Sequence, residues 1–530
     1  MGSIISGPVA TTIDFMVTLF VFVIGLGAAA VVVIFILDVA QTKDAVRHNF
    51  PVVGRFRTLF ITLGEFFRQY FFAMDREEMP FNRAERTWVN RAARNVDNTT
   101  AFGSTVNLSP AGSVIFANCP FPTLESDRAI TEPLLVGPYC REPYLAPSFF
   151  NISGMSFGSL SKPAVRALSK GAALAKCWLN TGEGGLSPYH LEGNCDVVMQ
   201  IGTAKYGVRD EQGRLSDERL RAVAADKRVK MFELKLSQGA KPGKGGILPG
   251  AKVTREIAKI RGIPAWKDSI SPNRHPEVNT IGELLDMIAH IREVTGKPVG
   301  IKCVIGSYDW LDAMFEEVKR RGIESAPDFI QVDSADGGSG AAPMPLMDNV
   351  GLLIRESLPI VDNLRKRHEL KERVRLVASG KFVTPSAVAW ALCVGADFVV
   401  SARGFMFALG CIQSLKCNRN TCPTGITTHN RRLQRGLNPA DKAVMVANYC
   451  TNIRHEVEMI AHSCGVTEPR RLRRYHVRIV QDNGLSVPFN ELCPSPDEAD
   501  NHPIGAIFAD KAPAPAQPKR PADVAVPGQV

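Results

Sequence analysis

Eight short apolar runs, most of them closing on Gly, Ser or Asp and separated by stretches of helical periodicity, constrain this chain more than any other feature. They lie at 149–155, 177–180, 231–236, 265–270, 299–304, 329–333, 374–378 and 398–401. Runs this short and this apolar read as strands buried on both faces, the condition of a parallel sheet. Helical stripes such as 281–294 and 387–394 supply a covering layer. The pattern predicts an α/β chain folded as a (β/α)8 TIM barrel. A doubly wound open sheet is the alternative, but no GxGxxG opens a helix after the first run, which counts against a dinucleotide domain.

Polar, glycine-rich segments follow these runs where a barrel places its chemistry. SGMSFGS follows the first predicted strand, NTGEGG the second, SQGAKPGKGG the third, DSADGGSGA the sixth, ASGKF the seventh and SARGF the eighth. Glycine at such points lets backbone N–H groups approach a phosphate or a planar ring. Barrel phosphate sites favour the last two loops, so Ser379, Gly380, Lys381, Arg403 and Gly404 are the phosphate candidates.

Directly after the last run come Cys411, Cys417 and Cys422, with five and four residues between them and Pro423 behind the third. Thiols at this density, ending in Cys-Pro, point to an iron–sulfur loop. A zinc site completed by His429 and a set of buried or disulfide-bonded cysteines are the competing readings. Twelve cysteines without a secreted-domain framework imply a reducing compartment.

The N-terminus reads as a membrane anchor. Residues 15–37 carry no charge between Asp14 and Asp38, and a helix of 23 residues reaches about 35 Å, enough to span a bilayer. A signal peptide is the alternative, disfavoured because the leader lacks a basic region. Lys43, Arg47, Arg55 and Arg57 follow the span, which places the rest of the chain on the cytoplasmic side as a single-pass membrane protein. Phe56, Leu59, Phe60, Leu63, Phe67, Tyr70 and Phe71 then recur at helical spacing, an amphipathic helix that lies in the membrane interface or packs on the barrel. The expected domains are an anchor at 1–37, a juxtamembrane and linker region at 38–148, a cofactor-binding barrel with its cysteine loop at 149–465, and a C-terminal extension at 466–530. From Lys511 the composition, rich in Pro and Ala, predicts a disordered tail. The net charge of +10 is spread over 63 basic and 53 acidic residues, so no nucleic-acid footprint follows. Arg470, Arg471, Arg473 and Arg474 read as a solvated or lipid-facing surface.

The order of motifs resembles the FMN-binding synthase domain of glutamate synthases. SGMSFGSLS, NTGEGG, QGAKPGKGG with LPG behind it, ISP before His275, DGGSGAAP, ASGKF and GC with its three cysteines stand in that family's order over 149–432. The resemblance implies FMN and a [3Fe–4S] cluster, the latter held by Cys411, Cys417 and Cys422. By motif it assigns the flavin to Ser153, Gly154, Met155, Ser156, Asn180, Lys302, Asp336, Gly337, Gly338, Gly380 and Lys381, and a small anionic oxo or amino acid to Glu183, Lys235, Lys241 and Arg261. The implied activity is that of an oxidoreductase on CH–NH2 donors, passing electrons from the cluster to FMN and reducing 2-iminoglutarate to L-glutamate. Cations near a flavin suit carboxylate substrates, and a Lys at the pyrimidine edge of the ring stabilises its anionic reduced form.

Three departures shape the expectation. Ile247 stands where the family typically has Gln before LPG, which leaves the substrate open. The apolar segment stands where the family carries a glutaminase domain, so ammonia is expected free or from another protein. Without a pyridine-nucleotide module, electrons are expected from a ferredoxin-like protein or a membrane carrier. The alternatives are oxidation of an amine or N-substituted amino acid with electrons passed to a membrane acceptor, and a non-catalytic electron-relay subunit.

Overall fold

The computed structural model describes residues 7–41, 44–497 and 500–501, so the tail expected from Lys511 lies outside the described residues. The chain divides into two compact units, Met1–Ala84 and Glu85–Val530. In the first, one helix runs over Pro8–Ala40, longer at both ends than the uncharged span. By length and composition alone it is long and apolar enough to cross a membrane, its most apolar 18-residue window having a mean hydropathy of 3.1. Asp38 near its end is buried and accepts from Arg55 Nη2 at 2.7 Å and from the Val52 amide at 3.0 Å. This grip sets the corner into the amphipathic helix Gly54–Phe67, which continues as one wider turn over Arg68–Phe72. Phe56, Phe60, Phe67 and Phe71 on its aromatic stripe are exposed.

The second unit holds a closed barrel of eight parallel strands: β1 (Phe150–Ile152), β2 (Leu179–Asn180), β3 (Val197–Ile201), β4 (Val229–Lys235), β5 (Val299–Cys303), β6 (Phe329–Asp333), β7 (Arg375–Ser379) and β8 (Phe398–Ser401). Nearly every strand residue is buried, as a sheet covered outside by helices and filled inside requires. Seven of the eight expected runs are barrel strands, and one is not. Residues 265–270 contribute Ser269–Ile270, which pairs antiparallel with Ile247–Leu248 in an insertion between β4 and β5. The true third strand is β3, passed over because only the short helix Pro188–Leu191, not a full amphipathic helix, separates it from β2. The loop SQGAKPGKGG therefore follows the fourth barrel strand, not the third.

The two ends of the barrel differ in chemistry. At the bottom, Trp178, Val198, Met231, Phe329, Val377, Phe398 and Val400 form an apolar cluster with Leu134, Val136, Tyr144 and Ala146. The last four belong to a hairpin, Leu134–Val136 with Tyr144–Ala146, that caps this end. Trp178 meets Phe398 edge-on, with centroids 5.0 Å apart. Trp178→Ala is expected to cost roughly 3–5 kcal/mol from lost transfer and a residual cavity, read as a lowered denaturation midpoint at unchanged slope.

The C-terminal part is built into the same body. Helix Pro439–Ser463 lies on helix Lys162–Ala175 so closely that a Cβ on Gly171 would sit 2.4 Å from Val446 Cγ1. Strand Val477–Val480 pairs with Val114–Phe116. The arginine cluster is not a solvated surface. Arg474 is fully buried and donates to Asp362 Oδ2 at 2.7 Å, where Arg365 and Lys366 converge as well. Arg470 is buried too, and its guanidinium lies 5.3 Å from the Phe398 ring centre. The composition read as a surface because charge spacing does not reveal a buried acid supplied from elsewhere in the chain.

Candidate active site

At the other end of the barrel the inward positions turn polar, and they do so on consecutive strands. Asn180 on β2 and Gln200 on β3 donate to Glu233 Oε1 on β4 at 2.9 and 2.5 Å. Gln331 on β6, with its amide oriented to donate to Glu233 Oε2 at 2.9 Å, accepts from Lys302 Nζ on β5 at 3.3 Å. Lys302 Nζ also lies 3.2 Å from Asp333 Oδ2 on β6. Asp333 accepts in addition from Ser379 Oγ on β7 at 2.7 Å and from the Gly239 amide at 2.9 Å. Register enforces the belt, since Gln200 pairs with Glu233 and Lys302 with Gln331 across adjacent strands. Burial pushes the Glu233 carboxyl above its ordinary range, against the pull of Lys302. Burial also works against the Lys302 charge, but Asp333 and Glu233 together carry its pKa above the usual lysine value.

Above this belt lies a cleft lined by Gly154, Met155, Ser156, Glu183, Lys235, Lys241, Lys302, Gly338, Arg403 and Cys417. Residues named from separate stretches of sequence thus share one wall. Glu183, on a short turn after β2, holds Lys235 Nζ at 2.9 Å. Burial raises the Glu183 carboxyl, yet Lys235, Lys241 and Arg261 together bring it below its ordinary value, so it is ionised. Glycine is required around it: a Cβ on Gly246 would lie 2.1 Å from Glu183 Oε1. Lys241 lines the same cleft, is 3% exposed, and has no carboxylate within ion-pair distance among the described residues. Burial, helped by the Lys235 charge, pushes its pKa down to about 8.

Other expected site residues are placed beside the cleft rather than in its wall. Arg261 lies behind it, donating to Ser269 Oγ at 3.1 Å and Ser156 Oγ at 3.5 Å over the Tyr206 ring. Its Nε is buried without a partner among the described residues. Ser153 donates its amide to the Ser401 carbonyl at 3.0 Å. Lys381 pairs with Asp336 at 2.8 Å, the Gly337 amide donates to Ser334 O, and Gly380 backs on Ser334, which a Cβ would meet at 2.3 Å. Gly404 sits against the Tyr449 hydroxyl. Gln200, Glu233, Gln331 and Asp333 were not singled out from sequence. Their signal was there: each is a polar residue at an inward, period-two position of an apolar run, in VVMQI, MFELK and FIQVD.

The cysteine loop borders the cleft through Cys417, which lies 3.8 Å from Arg403 Nη1. Lys252 donates to the Cys417 carbonyl at 3.2 Å and the Ser159 carbonyl at 2.8 Å. Burial raises the Cys411 thiol. Burial also works on Cys422, but hydrogen bonds from Thr424, Thr427 and their amides carry it below the usual thiol value. All three cysteines are unbridged, and the described residues contain no group of three or more His, Cys, Asp or Glu side chains placed to hold a metal ion. The His429 ring is engaged elsewhere, with Nε2 2.8 Å from the Gly158 carbonyl.

Residues 138–467 match the family described as the conserved region in glutamate synthase. The glutamate synthase large subunit-like protein YerD of Bacillus subtilis (strain 168) is 37% identical over 90% of this chain and 98% of its own length. The archaeal glutamate synthase [NADPH] of Methanocaldococcus jannaschii is 33% identical over 64% of this chain, which spans 63% of that protein. Among solved structures, a mutant flavocytochrome b2 with benzoylformate aligns at 14% identity and a TM-score of 0.42, over 74% of this chain and 77% of that one. With the family model covering the barrel, its mouth and the cysteine loop, and a full-length relative at this identity, the chain belongs to the glutamate synthase family.

Proposed function

We propose that the chain is an FMN- and iron–sulfur-dependent oxidoreductase acting on a small anionic imino or oxo acid, of which 2-iminoglutarate, reduced to L-glutamate, is the family's example. The observation that carries this is Lys241: a buried lysine in no ion pair among the described residues, beside an ion-paired lysine, at the mouth of a barrel. Such a charge is costly to keep empty-handed and is suited to a carboxylate.

The residues present fit a flavin. A Cβ on Gly154 would meet Asn180 Oδ1 and Gln200 Nε2 at 2.9 Å, one on Gly182 the Ser156 amide at 2.6 Å, and one on Gly338 the Arg403 Nε at 2.8 Å. The backbone there is bare and closely packed, as a planar ring lying on a loop requires. Ser153, Gly154, Met155, Ser156, Asn180, Lys302, Asp336, Gly337 and Gly338 would hold the ring end, and Gly380, Lys381, Arg403 and Gly404 the phosphate. Cys411, Cys417 and Cys422 supply the sulfur donors that a cluster would need, but the described residues do not gather the three thiols into a metal-holding group; Arg403, Lys252 and Thr424 are directed at sulfur or at the loop backbone. When bound, the two groups supply single-electron uptake and hydride delivery. The chain's own part is positional. Lys241 binds a substrate carboxylate; Glu183 holds the Lys235 side chain in an ion pair facing the same space; Ile247, Leu248 and Pro249 give that space an apolar wall.

The test is direct. Anaerobically reduced protein is mixed with 2-oxoglutarate and ammonium while visible absorbance is followed. Reoxidation supports glutamate formation; no reoxidation with that pair, but reoxidation by a less polar oxo acid, moves the substrate to one matching the Ile247 wall. A pH dependence follows from Lys241. A lysine binds a carboxylate only when protonated, so KM is expected to be flat below about pH 8 and to climb above it, as the Lys241 charge is lost through its lowered pKa.

The helix Pro8–Ala40 favours a second reading: oxidation of an amine with electrons leaving to a membrane acceptor. Bleaching of the visible spectrum by an amine, without added reductant, supports it. Either reading includes a single-pass anchor with the barrel on the cytoplasmic side, on the positive-inside argument.

A further inference from the structure

The aromatic helix of the first unit, Gly54–Phe67, has a face that the proposed chemistry leaves unused. At about 100° per residue, Phe56, Leu59, Phe60, Leu63 and Phe67 fall within roughly 100° of arc. The wider turn over Arg68–Phe72, closed by the Ala73 amide on the Arg68 carbonyl at 2.8 Å, prolongs this stripe. In a regular helix the residue five places after Phe67 would point well away from it. The wider turn brings that residue back, so the Phe71 and Phe72 rings lie 5.6 and 6.5 Å from the Phe67 ring, centre to centre. The face therefore stays apolar to its end, although regular helix geometry is broken to keep it so. Yet all of these side chains are exposed, Phe72 to 74%.

What covers this face follows from where the helix begins. Asp38 ends the uncharged span of helix Pro8–Ala40, at the level where an apolar span gives way to headgroups. Its buried carboxylate accepts from Arg55 Nε at 2.9 Å and Nη2 at 2.7 Å, and from the Val52 amide at 3.0 Å. Gly54 packs on the short helix Ala45–Asn49, where a Cβ would lie 2.9 Å from the Val46 carbonyl oxygen. The first turn of the aromatic helix is thereby held at the depth of Asp38. Arg57 and Arg68, both exposed, stand on one shoulder of the stripe. From there long basic side chains reach headgroups while the rings sink below them. Arg55, Arg57, Glu65 and Arg68 rule out a second crossing by these residues.

We infer that Gly54–Phe67 and its wider turn lie in the plane of a bilayer surface, the rings among the upper acyl chains and the arginines among anionic lipid headgroups. This placement rests on the single-pass anchor included in the proposed function and adds to it a second, in-plane contact with the same leaflet. The grip of Asp38 on Arg55 joins the two contacts, so that the chain leaves the membrane along its surface.

The experiment reads depth by tryptophan quenching in the full-length protein, reconstituted in vesicles of phosphatidylcholine with about 30% phosphatidylglycerol. The native tryptophans all lie beyond residue 84, and their signal is subtracted. Leu63→Trp and Ile61→Trp replace exposed apolar residues that the helix turns to nearly opposite sides. With phosphatidylcholine brominated high on its acyl chains, the added signal of Leu63→Trp is expected to be quenched roughly threefold more than that of Ile61→Trp. Phe22→Trp, in the middle of the span, tests the anchor separately with lipid brominated near the chain ends. Quenching of Phe22→Trp with equal quenching, or none, at positions 61 and 63 overturns the in-plane helix and leaves the anchor standing; no quenching at any of the three overturns both. Emission of Leu63→Trp shifted to the blue but unquenched shows the face packed on protein and overturns the proposal. So does quenching at Leu63→Trp that appears only after about tenfold dilution of protein in lipid, the sign of a second copy covering the face. All three replaced side chains are exposed, and circular dichroism checks that the fold is retained.

Discussion

Lys302→Met is expected to destabilise the second unit by roughly 3–5 kcal/mol and to abolish flavin retention, because removing one partner of a buried charge set leaves the others uncompensated. Lys302 is the cation between Glu233 and Asp333, and both remain when it is gone. Asp333 is held in place by hydrogen bonds from Ser379 Oγ and the Gly239 amide, so it cannot turn away from the site that Lys302 leaves. Methionine fits the space, so the loss is electrostatic rather than a cavity. The measurement is a pair of denaturation curves with flavin content by absorbance. Adding Glu233→Gln to Lys302→Met removes one orphaned acid and is expected to recover part of the stability, a coupling that a double-mutant cycle reads. Unchanged stability in the single variant refutes the role given to the belt.

Lys241→Ala is expected to lower kcat/KM by roughly a hundredfold or more, by removing a desolvated charge-assisted contact to substrate. Flavin content and stability should stay at the native level, since Lys241 is in no ion pair among the described residues. The accompanying signature is in the pH profile: the rise of KM above about pH 8 disappears with the side chain that causes it. Loss of activity with the profile intact assigns that ionisation to another group. Undiminished activity returns the chain to the electron-relay reading.

What the sequence disclosed, and what it withheld, follow from the range of the forces involved. The barrel was legible because seven of its strands are local runs whose both-sided burial shows in the residues themselves. Helices at 281–294 and 387–394 were legible for the same reason, and appear as Ile281–Thr295 and Pro385–Val394. β3 was not, since its recognition needed its neighbours: Val197–Ile201 is a strand because β2 and β4 flank it. Residues 265–270 misled in the opposite sense, since the apolar Ile270 pairs with Ile247 over the barrel rather than within it. At the site, residues in glycine-rich loops stood out by type, and many of them do share one cleft. Glu233 and Asp333 were marked only as polar positions inside apolar runs, and their role became readable only once Lys302 from another strand was set against them. The buried Arg474 was hidden likewise, its partner Asp362 lying far off in sequence.

The hairpin at 134–146 has a kinetic meaning. By stoppering the lower opening with packed aromatic and aliphatic side chains, it leaves the vessel, among the described residues, to be entered from the polar end. Substrate and product must then come and go past the same lip, where Cys417 of the sulfur loop stands beside the lysines. A molecule so built is expected to be slowed by its own product, which while it lingers holds the entrance against the next arrival, an inhibition competitive with substrate in steady-state plots.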